Sequence, residues 1–236
     1  MAAPDSRPRG PRASPPPTLR IAARPGRIGP AAGYTMIEVL VSLVVLLLGL
    51  LGLLGLQARA QTAETESYQR AQAIVLLQDI ADRMNANRTD AWALAYNAAA
   101  VGGDGALVSC SDKSGAALDL CEWGNMLKGA AEVSGGGTCS SSNAANCIGA
   151  MIGARGCILY DAATELKYSV KDPATGIVSD VALSGTGIYT ISIAWQGLVP
   201  TVAPVSTLTC GAGRYSGEAK RRVVTSTVRI AALGAS

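Results

Sequence analysis

Three hydrophobic patterns follow one another along the chain. No charge falls between Glu38 and Arg59, and Val39 to Leu56 is almost wholly apolar. Beyond Gln57 the apolar positions thin to a helical period. Ala73, Leu77, Ile80 and Met84 stand four, three and four apart, which puts them on one face of a helix. Toward the end the period shortens to two: Ile191, Ile193 and Trp195 alternate with polar or small residues, and Val224, Ser226, Val228 and Ile230 share one face of a last strand.

The first pattern predicts a membrane span. Tyr34 to Leu56 is 23 residues, about 35 Å as a helix and enough to cross a bilayer. Gly49, Gly52 and Gly55 recur within it, either where helices approach closely in lipid or as points that loosen the helix. Neither proline nor glycine occurs from Gln57 to Arg88, so the helix is predicted to continue to about Asn87, where Asn85, Asn87 and Asp90 supply stop and cap residues. Asp79 and Arg83, four apart, can pair on another face. Farther on the chain is rich in Ala, Gly and Ser to about Arg155. A short helix near Ala116 to Ala131 has Leu120, Trp123, Leu127 and Ala131 on one side, able to cover a sheet edge or the long helix. Gly135-Gly136-Gly137 marks a loop. Strands are predicted at Gly156 to Tyr160, Leu166 to Val170, Ile188 to Gln196 and Val223 to Leu233, antiparallel with one buried face. The fold class is therefore α+β, a long N-terminal helix on an antiparallel sheet.

Charge and composition narrow the chemistry. Of the 20 Lys+Arg and 17 Asp+Glu, six Arg and one Asp lie in the first 33 residues, leaving 14 and 16 behind them. That balance argues against a nucleic-acid surface. The only basic run beyond the span, Lys220-Arg221-Arg222, reads as a solvated strand start. The chain has no His, which excludes Ser-His-Asp and Cys-His sites and His-ligated metals. It also lacks G-x-S-x-G, S-x-x-K and a phosphate-binding glycine loop. No catalytic residue, cofactor or metal is expected. Met1 to Gly33 holds eight of the 11 prolines and should be extended. Its arginines put it on the cytoplasmic side and the bulk of the chain outside.

Six cysteines, Cys110, Cys121, Cys139, Cys147, Cys157 and Cys210, follow the span. Without CxxC or His they point to disulfides in an oxidising compartment, and six cysteines allow about 15 connectivities. Nearness in sequence suggests Cys139–Cys147 as a local loop and Cys157–Cys210 as a link between sheet regions, leaving Cys110–Cys121.

Glu38 stands at the mouth of the apolar run, where a carboxylate in hydrocarbon costs roughly 2.5–3.5 kcal/mol. It is either a boundary carboxylate reaching the headgroups or a group with a partner. Gly33-Tyr34-Thr35-Met36-Ile37-Glu38, followed by the apolar helix, resembles the cleavage and assembly motif of type IV prepilins. The resemblance implies that a prepilin peptidase/methyltransferase cuts between Gly33 and Tyr34 and N-methylates Tyr34. Glu38, then the fifth residue, would meet the terminal ammonium of a neighbouring subunit. Asp82-Arg83-Met84-Asn85-Ala86-Asn87-Arg88 resembles the end of the first helix in PilV-like minor pilins, and Gly156-Cys157-Ile158 and Tyr189 to Trp195 resemble their heads.

On that resemblance the fold is a pilin fold with a disulfide-containing head. Residues 1–33 are a cytoplasmic leader that is cleaved, 34–56 the transmembrane half of the helix, and 57–236 a periplasmic head. The implied partners are other minor pilins, the major pilin, the inner-membrane assembly platform and membrane lipid. The implied location is the inner membrane before assembly and the pilus after it. Alternatives stay open at this point. One is a type II secretion pseudopilin, and another a membrane-anchored adhesin or binding module. Ala58-Arg59-Ala60 also has the small-x-small pattern of a secretory signal, although the apolar run exceeds the usual length of such a signal.

Overall fold

The computed structural model describes residues 33–130, 132 and 149–231. The expected loop at Gly135-Gly136-Gly137, the cysteines Cys139 and Cys147, Ala131 and the stretch before Gly33 lie outside them. The chain divides into two units, one up to Leu51 and one from Gly52. In the first, α1 (Met36–Ala86) begins and carries its charge-free turns. The second holds the rest of α1, then α2 (Arg88–Trp92), β1 (Ala98–Gly102), α3 (Gly115–Leu127), β2 (Ile152–Asp161), β3 (Lys167–Lys171), β4 (Val178–Ala182), β5 (Ile188–Gln196) and β6 (Arg221–Arg229).

The head is α+β, as the periodicity predicts. A four-stranded antiparallel sheet runs β1-β2-β5-β6, and β3 and β4 form a separate ribbon. α1 buries Gln69, Ala73, Leu76, Leu77, Ile80 and Met84, in a core shared with Ile158 of β2, Tyr189, Ile191, Ile193 and Trp195 of β5 and Ile230. Two indoles fasten α1 to its neighbours, one from the sheet and one from α3. Trp195 donates its ring N–H to Gln69 Oε1 at 3.1 Å, and Trp123 of α3 donates to the Leu76 carbonyl at 2.9 Å. A Cβ on Gly156 would come within 2.1 Å of the Trp123 ring, so only glycine lets that indole lie flat on β2.

Several expectations need correction. β5 is not buried on one face alone: Ser192 and Ala194 are buried as well as Ile191, Ile193 and Trp195. The segment before β6 folds over the far face, where Cys157, Ala194 and Cys210 cluster with Tyr215 and Val223. β6 runs from Arg221 to Arg229, starting two residues before the expected Val223, and the expected end at Leu233 lies outside the described residues. α2, β1 and β4 were not foreseen.

Lys220-Arg221-Arg222 is not a solvated strand start. The Arg221 side chain is only 3% exposed and pairs with Glu218 at 2.5 Å; it also donates to the carbonyls of Leu208 and Cys210 at 2.6 and 3.1 Å. Arg222 reaches Glu66 of α1 at 3.1 Å and the Val199 carbonyl at 2.6 Å. Burying a guanidinium is costly unless its donors are filled, and here three protein oxygens take the Nε and Nη1 donors of Arg221.

Candidate functional site

Gly33, Tyr34 and Thr35 precede the first turn of α1. Thr35 caps it: its carbonyl accepts from the Glu38 and Val39 N–H groups at 3.1 and 3.3 Å, and its hydroxyl accepts from the Glu38 N–H at 3.3 Å. Thr35-x-x-Glu38 is the sequence of a capping box, and the threonine half of it is made. The Glu38 carboxylate stands in the first turn, where the partial positive charge of the helix start favours an anion. Thr35 was missed in the sequence, although threonine three residues before glutamate at the start of an apolar run was the available signal.

The bond between Gly33 and Tyr34 is open to solvent. Both residues are exposed, and a Cβ placed on Gly33 would meet no atom within 4 Å. Its backbone is not in the left-handed region either. Neither packing nor conformation asks for glycine there. Gly49, Gly52 and Gly55 likewise face open space.

The large apolar side chains from Val39 to Leu56 are 47% to 69% exposed. A helix this apolar with its side chains bare is not the core helix of a soluble domain. It is long and apolar enough to cross a membrane. Ser42 returns its hydroxyl to the Val39 carbonyl at 2.8 Å, as a polar group in hydrocarbon must.

The Asp82-to-Arg88 phrase is not a free helix end. Arg83 reaches Asp79 at 3.0 Å, Asp119 at 3.2 Å and Glu122 at 2.7 Å. Burial works against the charge of Arg83, but Glu122, Asp79 and Asp119 together hold its pKa above the ordinary value. Asn87 donates to the other Asp119 oxygen at 2.6 Å and to the Tyr96 hydroxyl at 3.2 Å. Tyr96 itself donates to Asp119, and burial followed by that bond pushes its pKa up. Met84 is fully buried. The phrase therefore ties the end of α1 to α3, a structural duty.

Among the cysteines, Cys110 is bonded to Cys121 and Cys157 to Cys210. The first holds the segment before α3 against that helix. The second joins β2 to the segment leading into β6, which is loop rather than sheet.

Residues 30–54 match the family model described as the prokaryotic N-terminal methylation motif. The match brackets Gly33, Tyr34 and Glu38 and ends within the apolar turns of α1. No curated protein and no solved structure matches the chain. The motif supports a type IV pilin-like or pseudopilin-like prepilin, a structural subunit processed by prepilin peptidase and assembled with other pilins. The apolar helix fits anchorage in a membrane before assembly.

Proposed function

We propose that the chain is a minor type IV pilin of the PilV kind. Residues 1–33 are its cytoplasmic leader, 34–56 its membrane span and 57–236 its periplasmic head. The peptidase removes the leader at Gly33, methylates Tyr34, and the subunit then enters or primes the pilus beside other minor pilins and the major pilin. The observation that carries this reading is the open Gly33–Tyr34 bond, set directly before a capped helix whose apolar side chains stay bare. Asp82 to Arg88 supports the PilV-like assignment by resemblance. Glu38 meets the ammonium of a neighbouring Tyr34, an attraction that strengthens where the dielectric is low.

The test is N-terminal sequencing of the mature protein, with Gly33 replaced by a bulky residue as control. The expected result is a methylated Tyr34 terminus and an uncut control. A terminus at Gln61 would mean a secretory signal and end the pilin reading. Glu38→Gln then examines docking alone: it should insert, be cleaved and fold, yet be depleted from sheared pili. Normal incorporation would falsify the role given to Glu38.

A further inference from the structure

β6 borders the four-stranded sheet, and among the described residues no strand lies against its outer edge. Its register with β5 runs without a shift from Arg221 to Arg229, and Val223 to Val228 holds no charge and no proline. Such an edge lacks the devices that keep strands from pairing. Its free backbone groups follow from the ladder. The Gly197 N–H donates to the Lys220 carbonyl at 2.7 Å, and antiparallel residues alternate between bonding inward and outward. Arg222, Val224, Ser226 and Val228 therefore bond to β5, while Val223, Thr225, Thr227 and Arg229 turn their N–H and C=O groups outward.

The β3–β4 ribbon is the second unpaired structure. It leaves the sheet at the Ile188 end of β5, and among the described residues β3 and β4 pair only with each other. Leu166, Tyr168, Val170, Val181 and Leu183 line one of its faces and are 39% to 52% exposed. An isolated two-stranded ribbon is marginal in water without cover for such a face. The Leu183 N–H donates to the Leu166 carbonyl at 2.8 Å, and the Asp172 N–H to the Ile177 carbonyl at 2.9 Å. By the same alternation Val178, Asp180 and Ala182 are the β4 residues whose backbone groups point away from β3.

We propose that β4 of one copy adds antiparallel to the β6 edge of a second copy, joining heads through a shared sheet. The inference rests on the assembly role proposed above. In an antiparallel ladder the residues whose free groups meet also place their side chains on one face. Asp180 then falls with Thr225, Thr227 and Arg229, and Val181 and Leu183 fall with Val224 and Val228, which already pack on the core. Apolar face continues apolar face, a match that the opposite alternation on β4 would have broken. Charge selects β4 over β3. Arg221 and Arg222 of β6 are already paired with Glu218 and Glu66, which leaves Arg229, bonded to the Thr186 carbonyl, as the β6 arginine without a carboxylate among the described residues; β3 carries Lys167 and Lys171, and the one charge of β4 is Asp180. A single register sets Asp180 opposite Arg229 and Val181 opposite Val228. Donor and acceptor are different surfaces, so the contact is head-to-tail, the kind of interface from which open filaments are built.

The experiment uses the full chain in membranes, with a photo-reactive residue at Thr227 and a mixture of isotopically labelled and unlabelled copies. The expected product is a cross-link between copies, from position 227 to the peptide holding Val178 to Ala182. Asp180→Arg should cut its yield severalfold, and Arg229→Asp on the partner copy should restore it. Ala182→Pro removes an outward N–H of β4, the one that register sets against Thr227, and leaves the β3 ladder whole. It should abolish the product with near-ultraviolet circular dichroism and disulfides unchanged. Cross-links confined to one copy, made only to other proteins, or absent would overturn the inference. Cleavage after Gly33 is scored in the same material. If cleavage is normal and no cross-link forms, strand joining alone has failed, whereas an uncut precursor counts against the assembly reading.

Discussion

Two positions in the head have no slack around them. Arg221 fills the carbonyls of Leu208 and Cys210 from a buried position, and Glu218 sits at its Nε. Arg221→Met keeps the length of the side chain but leaves both carbonyls without their donor. Unpaired buried acceptors cost about 1–3 kcal/mol each, so a loss of roughly 2–4 kcal/mol is expected in a denaturant titration. A variant as stable as the parent would mean that water replaces the guanidinium. Gly156 has the opposite problem, too much neighbour. Its added Cβ would lie 2.1 Å from the Trp123 ring, a contact the ring cannot yield because its N–H is bound to Leu76. Gly156→Ala should destabilise by about 3 kcal/mol and shift the tryptophan emission. Unchanged emission would show that the indole is not held there. Neither effect was visible in the sequence. The partners of Arg221 lie 13 and 11 residues away, and Glu66 lies 156 residues from Arg222, so Lys-Arg-Arg looks like any solvated run until the chain is folded.

Elements were legible where one physical rule dominates. α1 packs by one face, so Ala73, Leu77, Ile80 and Met84 could be read from spacing, and the β-branched run Ile188 to Gln196 has the bounds of β5. β1 is Ala98-Ala99-Ala100-Val101-Gly102 and alternates in nothing; β4 is exposed along its whole length, so no buried face marks it. The N-terminal stretch was legible for a different reason. What acts on Gly33, Tyr34 and Glu38 reads contiguous residues, so no tertiary contact has to be foreseen. The second burial of β5 was hidden because it depends on Cys210, brought to Cys157 across 53 residues. That closure gives the element its prediction. Replacing Cys157 and Cys210 together by serine reopens a loop whose closure entropy is worth about 4 kcal/mol, against about 3 for the 11-residue separation of Cys110 and Cys121. The Cys157/Cys210 pair should therefore show the larger drop in denaturant midpoint and should expose Tyr215 to fluorescence quenchers. An equal or smaller drop than for the Cys110/Cys121 pair would place the far-face segment outside the cooperative fold.

At the scale of the whole molecule, the buried residues of the core begin at Gln69, so stability belongs to the head and the motif can change without it. The head's response to pH is set by its tyrosines. Burial, with Tyr160 adding to it, pushes Tyr189 up to about 12. Burial also raises Tyr215 to about 12, with Asp104 adding to it against the opposing charges of Arg155 and Arg221. The ordinary value is 10.0. A phenol whose folded pKa is raised favours the folded state fully below its unfolded value, and loses that advantage as pH rises toward the folded one. The unfolded chain gives up these protons first, so the stability of the head should be flat from about pH 8 to about pH 10 and fall above it. The fall should be steeper than one group can give, because Tyr96 and Tyr160, which burial also raises, lose protons in the unfolded chain over the same range. The single hydroxyl proton of Tyr215 is shared between the carbonyls of Ala194 and Gly153 at 2.8 and 3.1 Å. Tyr215→Phe leaves both carbonyls without it, so it should start less stable at pH 8 but decline less steeply above pH 10. Urea titrations of parent and variant at intervals from pH 8 to 11.5, read by tryptophan emission, measure both features. A parent whose midpoint does not move above pH 10, or a variant that declines as steeply as the parent, would show that these hydroxyls are not held in the interior.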